Sequence, residues 1–325
     1  MPNLNYAQVW EPELLEILMQ GTLTSPFVTT NVKWLDAKTF HFTQMSTSGY
    51  KNHNRNGGWN KGSYAQKDVP YTVTHDRDVS FLVDRADVDE TNATASINNI
   101  SKTFEKTWVV PETDALFFSK VAQAAQKTDG YHSETATATY TKAKVFGMLK
   151  DILAKGKLRR YKANGTLIMY VCSTIMDALE QSTEFTRKIE MTQIAEGGLG
   201  IETRVTEIDG VPIMEVVDDE RFYDAFDWEP ENGGFAPLKK VTAGSGVEGV
   251  TGAHKINVLV ACGQTCKTVP KISSIYYFAP GAHTEGDGYL YQNRSLSDTF
   301  VFPNGKDGKI DSVYVDVDTT EYAGA

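Results

Sequence analysis

Residues Gln44 to Tyr64 read QMSTSGYKNHNRNGGWNKGSY, with four glycines, four asparagines and four basic side chains when His53 is counted. Such a composition cannot bury enough apolar surface to build a core of its own. On both sides the pattern becomes extended. Val28, Val32, Trp34, Phe40 and Phe42 are interleaved with Thr and Lys before it, and Val69, Tyr71, Val73, Phe81 and Val83 follow it. This alternation predicts half-buried strands flanking a polar Gly-Asn tip. A structureless loop above ~12–15 residues is uncommon inside a compact domain and usually carries function. Residues Gln44 to Tyr64 are therefore read as a long excursion from the body.

Toward the N-terminus, Glu11-Pro12 opens a short amphipathic helix with Leu14, Leu15 and Leu18 on one face and Gly21 past its end. On the other side of the excursion, Ala93, Ile97, Ile100, Phe104 and Trp108 form one apolar stripe, which predicts a long helix over residues 91–109. Pro111 is expected to start a second helix carrying Leu116, Phe117, Val121 and Ala124, and a third is expected from Lys142 to Lys157.

The second half changes character. Leu167 to Val171 reads as a buried strand, Ser173 is placed to cap a helix holding Ile175, Met176 and Leu179, and Ile201 to Val217 reads as a strand pair about Asp209-Gly210. Strands are expected again at Ile256 to Ala261, Ile272 to Phe278, Tyr289 to Leu296, Phe300 to Phe302 and Ile310 to Val317. The content is α+β, without the regular alternation of a doubly wound sheet.

Composition bounds the function. With 325 residues, 41% hydrophobic and 23% charged, the chain is expected to fold as one large or two intimate domains. The longest apolar runs, such as Val258 to Cys262, fall far short of the ~20 residues a spanning helix needs, so no membrane partner is expected. The opening MPNLNYAQVWEPELL does not read as a secretory signal. A net charge of −10 argues against sequence-reading nucleic-acid binding while leaving room for a local basic patch. Three cysteines are no disulfide framework. Fifteen Tyr, fifteen Phe and five Trp hint at a surface made for other protein.

Motifs for chemistry do not assemble. Gly244-Ser245-Gly246-Val247-Glu248-Gly249 has the spacing of a dinucleotide loop, but no strand feeds it and no helical pattern follows. Cys262 and Cys266 lack zinc spacing and a second ligand pair. Asp84, Asp87, Asp89 and Glu90 precede the long helix, where carboxylates complement the positive end of its dipole. The six histidines form no HExxH motif, and neither Ser173 nor Ser245 sits in a GxSxG elbow. No catalytic residue, cofactor or metal is expected.

Five stretches carry a family resemblance: VTHDRDVSFLVDRADVDET (73–91), VVPETDALFFSKVA (109–122), IDGVPIMEVVDDERFYDAF (208–226), HKINVLVACGQTCKTVPKISSIYYFAPG (254–281) and SDTFVFPNGKDGKIDSVYVDVD (297–318). In order and type they resemble the major capsid protein of tailed bacteriophages, the Hong Kong 97 type coat fold, over nearly the whole chain. The resemblance implies an N-terminal arm at 1–35 and an extended loop at 36–83. It implies a peripheral domain at 84–165 containing the spine helix 91–109, an axial domain at 166–265, and C-terminal strands at 266–325 returning to the peripheral domain. Some relatives carry a long N-terminal scaffolding segment, whereas this chain begins at the arm, which implies a mature chain or a coat with a separate scaffold.

The implied function is self-assembly into an icosahedral head around double-stranded DNA, without catalysis. The implied partners are further copies in hexamers and pentamers, with scaffolding, portal and decoration proteins, and packaged DNA in non-specific proximity. The implied location is the virion, with assembly in the host cytoplasm. Within the extended loop, Tyr50, Trp59 and Tyr64 are expected as aromatic anchors on a neighbouring subunit and Lys51, Arg55 and Lys61 as partners of its carboxylates, while Gly57, Gly58 and Gly62 let the loop bend. An encapsulin-like nanocompartment shell and a soluble α+β enzyme are the alternatives.

Overall fold

A computed structural model of the chain describes residues 20–30, 32, 34, 36–53, 55, 57–85, 97–155, 158–163, 166–182, 205–231, 233–243, 249–303 and 309–324. The arm helix expected at Glu11, the start of the spine helix, Asp87, Asp89, Glu90 and residues 244–248 lie outside them.

Strand β1 (Thr39–Thr47) pairs with β2 (Tyr64–Thr72) antiparallel, in register from Thr39 opposite Thr72 to Thr47 opposite Tyr64. Nine residues a side give this ladder roughly 30 Å of length. It is a sheet of its own, bonded to no third strand among the described residues. The chain then reverses into β3 (His75–Asp84), whose side chains alternate between half-buried and exposed. The period of two puts one face of β3 on the spine.

The spine is longer than its sequence suggests. Helix α1 (Ile97–Phe104), a π-helical turn (Glu105–Val109) and helix α2 (Val110–Gln126) follow one another without a break. At 1.5 Å per residue the rod is about 45 Å long. The expected end near Val109 is therefore corrected. Proline lacks an N–H and its ring crowds the preceding turn. The π turn falls directly before Pro111, and such a bulge lets a helix absorb a local misfit and continue.

Two sheets flank the rod, and two short strands, β8 (Phe226–Asp227) and β9 (Ala236–Pro237), pair antiparallel as a ladder of their own. The larger has the order β4 (His132–Glu134), β13 (Tyr314–Glu321), β10 (His254–Cys262), β5 (Leu167–Cys172), β7 (Val211–Val216) and β6 (Val205–Ile208), with β4–β13 and β5–β7 parallel and the other pairs antiparallel. The turn joining β6 to β7 has Asp209 at φ +52° and Gly210 at φ +80°, the left-handed pair a tight hairpin requires. Helices α3 (Val145–Ala154), α4 (Leu158–Ala163) and α5 (Ser173–Glu180) share this sheet's core with Phe117, Phe118 and Val121 of α2. The helix expected over 142–157 is found as Val145–Ala154, and a second short helix, Leu158–Ala163, follows it.

The smaller sheet has the order β11 (Cys266–Phe278), β12 (Gly288–Val301), β3. Its strands are longer than expected. The two short strands read at 289–296 and 300–302 are one strand ending at Val301. Inner residues such as Cys266 and Val269 are buried, and exposure rises toward the far end of β11. The C-terminal strands expected to return together part company: β11 and β12 join β3, whereas β13 inserts beside β10 in the large sheet. Likewise α3 and α4, placed by the sequence reading with the spine's own domain, contribute to the core of the large sheet.

Candidate inter-subunit surface

The excursion is well packed at its root. Phe40 is 2% exposed and meets Trp34 edge-on at 5.6 Å, Phe300 edge-on at 5.2 Å and Tyr71 stacked at 5.6 Å between ring centroids. Phe42 stacks on Phe302 at 4.6 Å, and Lys271 Nζ lies 3.9 Å over the Trp34 ring. Val73, Val269 and Leu296 complete this cluster. Aromatic pairs in offset or edge-on geometry add to area burial, so the ladder leaves the body in a defined direction. Val73 N also donates to Lys38 O at 2.9 Å, which closes the root.

Beyond the root the burial ends. From Thr43 to Asp68 every side chain with a described environment is exposed. Tyr64 is 78% exposed, Trp59 94% and Tyr50 wholly so. The sequence-predicted residues Tyr50, Lys51, Arg55, Gly57, Gly58, Trp59, Lys61 and Tyr64 are thus brought together on one tip, with the three cations exposed. Among its described residues the tip has few internal ties. Ser48 N donates to Ser63 O at 2.8 Å, Ser63 N donates to Ser48 Oγ at 2.9 Å, and Asn60 Nδ2 donates to Asn52 O at 2.8 Å. Gly58 turns at φ +71°, where a side chain would be strained.

A two-stranded ribbon is marginal in water without a further surface. Here the aromatic root holds one end, while the other end offers large exposed aromatic rings and positive charge. Ile275, Tyr276 and Tyr277, on the edge strand β11, are a second exposed set, at 58%, 55% and 54%. The sequence reading missed them as surface, because a run IYY on a strand looks like core.

Two further clusters were not anticipated, and both hold elements together. In the first, Asp114 of α2 accepts from Leu23 N, Thr24 N and Thr24 Oγ1 at 3.1, 3.2 and 2.6 Å and from Arg221 Nη1 at 3.0 Å. Arg221 Nη2 also donates to Gln20 O at 3.0 Å and to Asp218. Burial pushes the Asp114 carboxyl above its usual range, opposed by the Thr24 and Leu23 hydrogen bonds and by Arg221. With Phe27 and Leu23 buried and Tyr170 Oη donating to Leu23 O at 2.9 Å, residues 20–27 are fastened to the body.

In the second, a cavity of about 430 Å³ lies between β3, the spine and the loop around Gly234. Three of its titratable groups bond to one another. Glu112 Oε1 lies 2.9 Å from His75 Nε2 and accepts from Arg77 Nε at 2.8 Å, while Arg77 Nη2 donates to Gly234 O at 2.7 Å and Nη1 to Trp228 O. A Cβ on Gly234 would meet the Trp108 ring at 2.3 Å, so the loop can lie on that ring only as glycine. This is a clasp in form, with its charges facing inward. Cys172, Cys262 and Cys266 are all buried free thiols, and among the described residues no group of His, Cys, Asp or Glu could hold a metal ion.

No protein-family model matches the sequence, and no curated protein matches it. Solved structures do. A chain of the Cyanophage P-SCSP1u capsid is similar over 98% of this chain and 94% of its own, with a TM-score of 0.64 and 12% identity. The mature capsid of bacteriophage PhiM1 matches over 97% and 92%, with a TM-score of 0.61 and 12% identity. A chain from Mycobacterium phage Che8 matches over 97% of both, with a TM-score of 0.56 and 11% identity. These matches run nearly end to end in both partners, so the chain has the coat fold of these bacteriophage capsid structures.

Proposed function

We propose that this chain is the major capsid protein of a tailed bacteriophage and self-assembles into the icosahedral shell that encloses double-stranded DNA. Beyond the shared fold, the observation that carries this reading is the β1–β2 hairpin, rooted in an aromatic cluster and with every described side chain from Thr43 to Asp68 exposed. A closed shell needs contacts between different patches of neighbouring copies, and a projecting arm is a direct way to make them. Tyr50, Trp59 and Tyr64 would seat on the adjacent subunit, and Lys51, Arg55 and Lys61 would meet its carboxylates. Gly57, Gly58 and Gly62 would let the tip adjust between hexamer and pentamer positions.

The spine with the three-stranded sheet then serves as the peripheral domain and the six-stranded sheet as the axial domain. Scaffolding, portal and decoration proteins are further partners on this reading, with the virion as destination and the host cytoplasm as the place of assembly. Electron microscopy of the concentrated purified chain tests it. Closed shells, hexamers or pentamers are expected. A monomer that persists at high concentration would overturn the proposal, and shells loaded with a protein cargo in place of DNA would reassign the contents to an enzyme.

A further inference from the structure

Residues 142–162 hold eight Lys and Arg against the single carboxylate Asp151, a net +7 that leaves −17 for the rest of this −10 chain. The structure gives that segment one orientation. Val145, Leu149, Ile152 and Leu153 of α3 and Leu158 and Tyr161 of α4 are buried, so the basic residues are left on the outer face. Lys142, Lys144, Lys150, Lys155, Arg159 and Arg160 are all exposed. Lys150 and Lys162 stand 3.6 Å from Asp209 of the β6–β7 turn, beside Arg159, around a cleft of about 500 Å³. Among the described residues, one carboxylate thus faces three cations.

We propose that the α3–α4 face is a sequence-independent docking site for the phosphates of duplex DNA, with Lys150, Arg159 and Lys162 around the Asp209 cleft at its centre. Two observations select this partner over a protein. Among the described residues of 142–163 there is no large exposed apolar side chain, so the face lacks the aromatic anchors that carry protein interfaces. Its charge density also suits a polymer with one negative charge per ~1.7 Å of axis better than scattered carboxylates. Acids of this chain's own surface are in part engaged internally, as Asp76 is by Arg294, Glu321 by Lys240 and Asp219 by Lys255. Phosphate contacts position a duplex without reading its bases, which suits a wall beside DNA of any sequence. The choice of DNA as ligand rests on the container reading above; the basic face does not.

The test is anisotropy of a labelled duplex of arbitrary sequence titrated with the unassembled full chain over a range of salt. The parent is compared with Lys150→Gln/Arg159→Gln/Lys162→Gln and with Lys102→Gln/Lys127→Gln/Lys309→Gln, which removes equal charge from exposed lysines elsewhere. The patch variant should bind at least tenfold more weakly, with its log–log salt slope reduced by about 0.9 for each phosphate that is no longer neutralised. The second variant should stay near the parent. Equal binding by parent and patch variant, or an equal loss in both variants, would overturn the site. Competition by polyglutamate as strong as by duplex would overturn DNA as its ligand. Lys155→Gln/Arg160→Gln, away from the cleft, gives an independent reading in the same direction. Shell formation by a parent that fails to bind duplex would leave the coat reading intact and sink this inference alone.

Discussion

Arg221 and Asp114, 107 positions apart in the chain, meet at 3.0 Å with side chains 1% and 0% exposed. The pair joins the spine helix, the turn after β7 and the backbone of Gln20, Leu23 and Thr24 at one point. Taking one partner from a buried pair leaves the other charge uncompensated, at a cost of about 3–5 kcal/mol. Arg221→Leu should therefore lower subunit stability by about that amount in urea unfolding. A change below ~1 kcal/mol, the ordinary scale of an exposed pair, would remove the hub from this account.

Asp76 of β3 accepts from Arg294 Nε at 3.1 Å and Nη2 at 2.9 Å, with Lys38 at the hairpin root 3.5 Å away. The Arg294 hydrogen bonds hold its carboxyl below the usual range, with smaller help from Lys38. A carboxyl whose folded-state pKa is depressed contributes stability that is present above its unfolded value of about 3.9 and is lost as pH falls through the folded value. Carbon-detected NMR titration should find the Asp76 midpoint below about 3.9, and Arg294→Gln should move it back up. An unchanged midpoint in the variant would show that the contact does not hold in solution.

Burial pushes the Cys266 thiol up to about 12 and the Cys172 thiol above its ordinary value, and Cys262 is equally enclosed. Because the thiolate is the reactive form, the native chain should be inert to a thiol reagent at about pH 8. All three cysteines should react in denaturant. Rapid labelling of the folded chain would contradict the packing around β5, β10 and β11.

Legibility from sequence followed the range of the interactions. The α+β class, the β6–β7 turn at Asp209-Gly210 and the polar tip between β1 and β2 rest on local periodicity and turn chemistry, and the structure has them where the sequence put them. The continuous spine was not legible, since Pro111 reads as a boundary and only a π turn before it lets the helix continue. The Asp114–Arg221 hub depends on two segments meeting in space. Its one local trace is a carboxylate set against Ala115, Leu116, Phe117 and Phe118, all buried. The partition of the C-terminal strands between two sheets is equally non-local, because β11 and β13 read alike and only their pairing distinguishes them.

The central claim is that the hairpin tip serves another copy of the chain more than its own. Its most direct test is electron microscopy, beside a thermal melt, of the parent and a deletion of Asn52 to Lys61. Since every described side chain of that segment is exposed, the deletion should melt within a few degrees of the parent while forming no closed shells. Normal shells from the deleted chain would contradict the account.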